Sequence, residues 1–491
     1  MSLTSKVAYN TVVQIIGKVI TTLISLVLVG ALTRYLGVAG YGQYTTIFAY
    51  LAFFGVLADF GLFWIFVREI AKPDVDFKKA TSNILTLRIV IGIFIYGLAT
   101  ILALFIPQYD NFHSGIAIIA IASLFLALNS TYVGIFQNKL RMDKAVITDI
   151  VGRIIILLLT LYLIKLNHGL NLILWAYAVG NVVNFVLSAY LGRVYVAWRP
   201  AFDLPYWKIL LKNALPMAIV LILGMLFFKI DTLMLSLMKS STDVGIYGPP
   251  YKILEILILL PAIFMGNIFP IVTRYIYEGD TRLQSALQKS FDFLMILAWP
   301  IMIGIIFTAS RIIKLMAGAD FAVAQTIAPI LGHAATSALT LQILAVAVAL
   351  SFISHLFGYL VIALGKQEKM IKPYVILVVI NVALNLLIIP KYSYIGAAIT
   401  TVVTEVLGLI FAWYVARKYV NLRFNLKVVW QTLFATAFLG VFLYIIGDKL
   451  NLILLIISSL MVYTVALYAV GAVSYEMFLN LIPSKKKEMD K

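Results

Sequence analysis

Cysteine is absent from the 491-residue chain, which excludes disulfides and thiolate metal sites. Charge is scarce as well: Asp, Glu, Lys and Arg make up 12% of the residues, against about a quarter in a soluble domain. There are four histidines; His333 and His355 show no metal-ligand spacing and are expected to be structural. No GxxxxGK[ST] loop occurs, so phosphate-loop ATP hydrolysis is excluded. No segment alternates apolar and polar residues with the period of an outer-membrane barrel strand. The opening residues MSLTSKVAYN lack a short apolar core followed by a small-residue cleavage site, so the first helix is expected to be retained. The longest polar stretch, about residues 193–215, has room for only a short surface helix.

What is present is hydrocarbon. Hydrophobic residues make up 63% of the chain, the mean hydropathy is +1.02, and the apolar residues fall in blocks of roughly 20, the length of a membrane-spanning helix. The blocks define fourteen expected spans: 11–33, 44–66, 84–106, 115–137, 147–166, 170–192, 216–238, 252–273, 293–312, 339–364, 373–390, 394–416, 427–447 and 451–473. Segment 321–338 is less apolar and reads as an interfacial helix or an extension of the tenth span. Pro216 would open the seventh span and Pro261 would kink the eighth. Tyr41, Tyr44 and Trp299 read as interfacial anchors.

The net charge of +17 has its explanation in the loops, and no nucleic-acid partner is expected. One set of loops holds Arg68, Lys72, Lys78 and Lys79; Lys139, Arg141 and Lys144; Arg193, Arg199, Lys208 and Lys212; and so on to Lys485, Lys486, Lys487 and Lys491. The intervening loops hold only a few, among them Arg34, Lys165, Lys239 and Lys391. Rich and poor loops alternate along the whole chain, which supports the span count and puts both termini in the cytoplasm.

A weak internal repeat accompanies this pattern. At an offset of 203 residues, Asn10, Leu32, Gly42 and Tyr44 fall on Asn213, Leu235, Gly245 and Tyr247. Both copies start from the cytoplasm, so they are parallel repeats about an axis along the membrane normal. The expected architecture is an all-α integral membrane protein of about 14 transmembrane helices. Two pseudo-symmetric six-helix lobes, 1–200 and 201–420, would surround a central cavity, and 421–491 would supply two further helices and a basic cytoplasmic tail.

Few of the 38 Lys and Arg fall inside spans: Lys18, Arg88, Arg153, Lys229 and Lys252. The acids there are Asp59, Asp231, Glu255 and Glu405, with Asp149 and Asp292 near span ends. Such charges are costly in hydrocarbon and usually face a bundle interior or a watery cavity. Arg88, about four residues into its span, can reach the surface as an anchor or face the cavity. Lys18 and Arg153 lie near 10 Å deep, where anchoring and cavity lining are equally open. Lys229 lies near the midplane and is expected to line the cavity or meet a buried partner. Asp231, two residues on, points about 200° away, so a hydroxyl, amide or cation from an adjacent span should hold it. Lys252 and Glu255 share a helix face and read as an ion pair. Asp59 and Glu405 are either coupling sites for H+ or Na+ or counter-charges to a cation.

At this point the residues resemble a known family. KIDTLMLSLMKSSTDVGIYGPPYKILEILILLPAIFMGNIFPIVTRY (229–275) is similar to the seventh and eighth helices of polysaccharide-biosynthesis flippases of the multidrug/oligosaccharidyl-lipid/polysaccharide (MOP) exporter superfamily. ALTRYLGVAGYGQYTTIFAYLAFFGVLADFGL (31–62) and LFGYLVIALGKQEKM (356–370) resemble other parts of the same family, and Asp231, Gly245 and Tyr247 are the more specific positions. The peptidoglycan-precursor branch is less similar, its Arg-rich first helix being represented here by Lys18 alone.

The resemblance implies a non-enzymatic, alternating-access carrier in the cytoplasmic (inner) membrane. It implies a polyprenyl-pyrophosphate-linked glycan as substrate and other polysaccharide-assembly membrane proteins as partners. By position within the lobes it makes Lys18, Arg88, Arg153 and Lys229 the substrate-binding cations. Asp59, Asp231 and Glu405 become the coupling or structural acids, with Na+ or H+ as the small ligand expected and no cofactor. The competing readings are a cation-coupled multidrug exporter and a membrane glycosyltransferase, the latter lacking its usual polar catalytic loop.

Overall fold

A computed structural model describes residues 3–196, 199–328 and 333–472; the basic residues expected in the C-terminal tail lie outside these. The described residues form helices joined by short turns, and no β-strand occurs among them. Twelve helices are long and apolar enough to span a membrane. Two of them are double-length, 61 residues over Tyr9–Glu69 and 51 over Gln367–Arg417. At about 1.5 Å per residue each would be two to three times the hydrocarbon thickness if straight. Each is broken instead. Helix α1 (Leu3–Asp59) turns at Gly37, with φ 65° and ψ −175°. Helix α12 (Ile371–Arg417) turns at Ser393, with φ 46° and ψ −129°. Counting each as two crossings, the twelve helices provide about the fourteen expected.

Contacts group the chain into two compact units. The first contains Met1–Pro249, Leu315–Ala328 and Val378–Ala397. It thus holds α1, α2 (Leu62–Glu69), α3 (Phe77–Ala103), α4 (His113–Asn138), α5 (Met142–Lys165), α6 (Leu170–Gly192) and α7 (Leu204–Met238). It has one apolar cluster around Ile47, Leu51, Tyr109 and Ile116 and another around Leu62, Phe66, Ile84 and Phe136. The second unit contains Pro250–Lys314, Pro329–Leu377 and Ala398–Lys491. It holds most of α8 (Ser241–Glu278) and α9 (Arg282–Ala317), with α11 (Ser337–Ala363), α13 (Lys427–Ile446) and α14 (Leu452–Ala469). One of its clusters is built on Ala435, Leu439, Leu455 and Tyr463.

Several local expectations need correction. The seventh span does not open at Pro216. Its helix starts at Leu204, capped by Asp203, whose side chain accepts from the Tyr206 amide, and runs through Pro216. The start is pinned to α3: Lys79 lies 2.8 Å from Asp203, and Asn83 accepts from the Asp203 amide and the Trp207 indole. The Lys79 ammonium holds the Asp203 carboxyl below the usual carboxylate range. Pro261 lies inside helix α8 (Ser241–Glu278). Within segment 321–338 the short helix α10 (Ala319–Val323) is followed by non-helical residues at 324–328 and 333–336, and α11 begins at Ser337, so the described part is not one interfacial helix.

Two cations of the cation-poor loops, Arg34 and Lys239, serve as helix caps. Arg34 donates to the carbonyls of Gly30, Leu315 and Met316, the last two at the C-terminal end of α9. Lys239 donates to the Pro390 carbonyl at 2.8 Å. A cation at a helix C-terminus satisfies orphan carbonyls and the macrodipole together, which gives these exceptions to the loop rule a structural reason.

Gly42 and Gly245, matched by the internal repeat, meet in the fold. A Cβ on Gly42 would lie 1.7 Å from the Ser241 carbonyl oxygen, and one on Gly245 would lie 2.0 Å from that of Val38. Under the same 203-residue offset Val38 corresponds to Ser241, so the two contacts are the same contact made in both directions. Only glycine allows the backbones this close.

Candidate functional site

The first unit contains a cavity of about 390 Å³ among α1, α2, α4, α5 and α6. Its walls carry Lys18 and Gln14 from α1, Asn129 and Ser130 from α4, Asp149 and Arg153 from α5, and Asn184 from α6. Helices α5 and α6 cross closely here because Gly152 and Gly180 face each other: a Cβ on Gly180 would lie 2.8 Å from the Gly152 carbonyl oxygen. That crossing brings Asn184 level with Asp149 and Arg153.

The cavity wall is positive. Lys18 is exposed. Arg153 donates to both carboxylate oxygens of Asp149 at 3.1 and 3.2 Å and to the Ser25 hydroxyl at 3.1 Å. Both members of this pair keep 41% of their side chains exposed, so an anion can compete for the guanidinium. Two cations against one carboxylate leave a net positive charge.

Arg88 does not join them. Its guanidinium is sealed at 1% exposure, donates to Asp59 at 2.8 Å, to the Ala127 carbonyl at 2.6 Å and to the Ser130 hydroxyl at 2.5 Å. Neither a surface anchor nor a cavity cation, it ties α3 to α1 and α4 behind the wall, and Asp59 is its counter-charge. The two are 29 positions apart, so no local spacing in the sequence pairs them.

Lys229 is not part of this cavity wall; it is partly exposed. Asp231 is 1% exposed and accepts from the Asn385 amide at 2.6 Å, an amide partner of the kind expected, and that amide also reaches Asn381 Oδ1 at 2.7 Å. In the second unit Lys252 and Glu255 form the expected pair at 3.0 Å. Glu405, also there, lies beside Ser354 and Tyr374. His355 Nδ1 meets the Ser351 carbonyl at 2.7 Å, a structural contact.

Tyr41 and Tyr44 are not interfacial anchors. Tyr41 is 4% exposed, and its ring begins a column through Tyr44 (5.7 Å between centroids) and Phe48 (4.5 Å) to Tyr177 of α6 (4.8 Å, edge to face). Tyr44, Phe48 and Tyr177 remain partly exposed. Asn129 and Asn184 drew no notice in the sequence; the signal that could have found them is that uncharged amides inside spans, like charges, need a partner or a wet wall.

The described helices make an all-α, multi-pass membrane protein with a polar, net-positive cavity inside one helical unit. Known proteins sharpen this. The family profile described as "Polysaccharide biosynthesis protein" matches residues 7–276, more than half of the chain, and the chain belongs to that family. It is 21% identical over 466 residues to the "Probable low-salt glycan biosynthesis flippase Agl15" of Haloferax volcanii, covering 91% of this chain and 93% of the relative. The fold is that of "Lipid II flippase MurJ, inward closed conformation", with TM-score 0.74 at 14% identity, 94% of this chain and 99% of that one being covered. It also matches an "Inward-facing conformation of a multidrug resistance MATE family transporter of the MOP superfamily", with TM-score 0.65 at 14% identity over 81% of this chain and 95% of the other.

Proposed function

We propose that the chain is a flippase of the cytoplasmic membrane that moves polyprenyl-pyrophosphate-linked oligosaccharides to the outer face for cell-surface polysaccharide synthesis. The observation that carries this reading is the cavity holding Lys18 and Arg153 against a single carboxylate, in a chain of a polysaccharide-biosynthesis family. A pyrophosphate cannot enter hydrocarbon uncompensated, and charge-assisted hydrogen bonds from Lys and Arg supply the compensation. The lipid tail stays in the bilayer while the head passes, and rocking of parallel repeats exposes the site to each side in turn. Replacing both Lys18 and Arg153 with Ala removes two charge-assisted contacts and should lower glycan export about a hundredfold or more, measured as surface glycan in cells lacking the native gene. Unchanged export by the double variant would sink the assignment.

Glu405 is the coupling acid in this reading. Asp59 is matched by Arg88 and Asp231 is gripped by Asn385, whereas the neighbours of Glu405 named above are a hydroxyl and a phenol, not a cation. Glu405→Gln should transport at the gradient-free rate whether or not an H+ or Na+ gradient is imposed across proteoliposomes. A variant that still responds to the gradient removes Glu405 from that role. The second reading, a cation-coupled multidrug exporter, draws on the likeness to the MATE fold. A net-positive wall disfavours organic cations, and a drug-resistance assay in a sensitised host separates the two.

A further inference from the structure

The wall that would receive an anionic headgroup also carries a carboxylate. Asp149 lines the cavity with Lys18 and Arg153, on α5, which starts at Met142; seven residues place it about 10 Å along the helix. A negative charge there weakens the field that an incoming anion meets. Stability does not account for it, because an i,i+4 pair whose members are both 41% exposed contributes little to folding. The other arginine–carboxylate pair of the unit shows the contrast. Arg88, 1% exposed, is closed in by Asp59, the Ala127 carbonyl and the Ser130 hydroxyl. Arg153 is instead held from two sides in the open: Nε donates to Asp149, and Nη1 to Ser25 of α1. The Ser25 hydroxyl is itself fixed by donating to the Thr21 carbonyl at 2.8 Å. Release of Asp149 would therefore free the Nε edge of the guanidinium while its Nη1 stayed anchored to α1.

We infer that Asp149 is a resident counter-anion: it occupies the Nε edge of Arg153 while the cavity is empty, yields that edge to the pyrophosphate, and takes it back as the headgroup leaves. This rests on the flippase reading and gives Asp149 a part in release rather than in capture. It acts through Arg153 and is a positioning residue. With Asp149 present the wall opposes one net positive charge to a doubly negative pyrophosphate diester; without it, two. A headgroup that is bound too tightly is not delivered, and product release limits many turnover rates. Exchange of one anion for another also keeps the guanidinium compensated in both states, which a cation within a membrane span requires.

The test compares the wild type, Asp149→Asn and a Lys18→Ala, Arg153→Ala double variant as full-length proteins in nanodiscs and proteoliposomes, with geranylgeranyl pyrophosphate as the probe. Asparagine keeps the size of the side chain and an oxygen acceptor for Arg153, and removes the charge. Removing one like charge from a wet cavity that receives a dianion should tighten probe binding about tenfold. The rate of probe movement at saturation should fall several-fold as release slows. Tm without the probe should shift by no more than about 2 °C. Unchanged or weaker binding overturns the proposal, because a carboxylate that merely orients Arg153 gives that result. A larger drop in Tm overturns it in favour of a structural ion pair, and tighter binding at an unchanged rate overturns the part in release. In each of these cases the flippase reading stands as long as the double variant has lost the probe. A double variant that binds the probe as the wild type does removes the anion site, and the counter-anion with it.

Discussion

A Gly245→Ala protein should fail to accumulate in its native form. Its new methyl group would sit 2.0 Å from the Val38 carbonyl oxygen, and both partners of that clash are main chain. A side chain can rotate away from an intruding atom, whereas two backbone segments can only separate, and separating them breaks the mirrored contact at Gly42 and Ser241 as well. Overpacking a core costs about 1–3 kcal/mol even where side chains can yield; with backbone on both sides the cost should exceed that range, enough to unfold a marginally stable domain. Gly42→Ala should do the same. The control is internal: Gly97 and Gly224 lie in helices with nothing within 4 Å of a new Cβ, so alanine there should be neutral or stabilising by up to about 1 kcal/mol. Thermal unfolding of the four purified variants decides the matter, and a Gly245→Ala protein with unaltered Tm would show that the close approach is not a fixed feature of the fold.

The next largest effect should come from separating Asp59 and Arg88. The pair is asymmetric: the Arg88 side chain is 1% exposed and that of Asp59 26%. Asp59→Leu strands a sealed guanidinium, which should cost about 3–5 kcal/mol. Arg88→Met leaves a carboxylate that still reaches the surface of the unit, and should cost less. In the double variant neither charge remains to be compensated, so its loss should be clearly smaller than the sum of the two. A double-mutant cycle on Tm and unfolding midpoint reads this directly; strictly additive losses would mean that the two residues do not depend on each other.

The fold was legible to the extent that the membrane imposes it. Apolar blocks of fixed length and the alternation of Lys- and Arg-rich loops are consequences of bilayer thickness and positive-inside insertion, so the crossings could be read without any knowledge of packing. The repeat placed Gly42 over Gly245, although nothing in the sequence said that they touch. The site was less legible. Sequence ranks a buried charge by depth, and depth did not separate Arg153, which reaches a cavity, from Arg88, which is spent on Asp59. Lys229 and Asp231 could be split by helical angle alone, since residues two positions apart cannot share a face, yet the amide that holds Asp231 comes from Asn385, 154 positions away. Asn129 and Asn184 carry no charge and so drew no attention among the apolar residues around them, yet both line the cavity. Residues 324–328 and 333–336 misled because moderate hydropathy does not distinguish a surface helix from a non-helical connection.

The crossed glycine contacts have the geometry of an isologous interface, in which position i of one copy meets position j of the other while j meets i. Two identical chains pairing about a two-fold axis make this contact automatically; a single polypeptide makes it only if its halves keep a dimer's symmetry after fusion. The segments 38–42 and 241–245 therefore resemble a homodimer seam preserved inside one chain. Neither half can drift there alone, because a change in either is felt at both crossings.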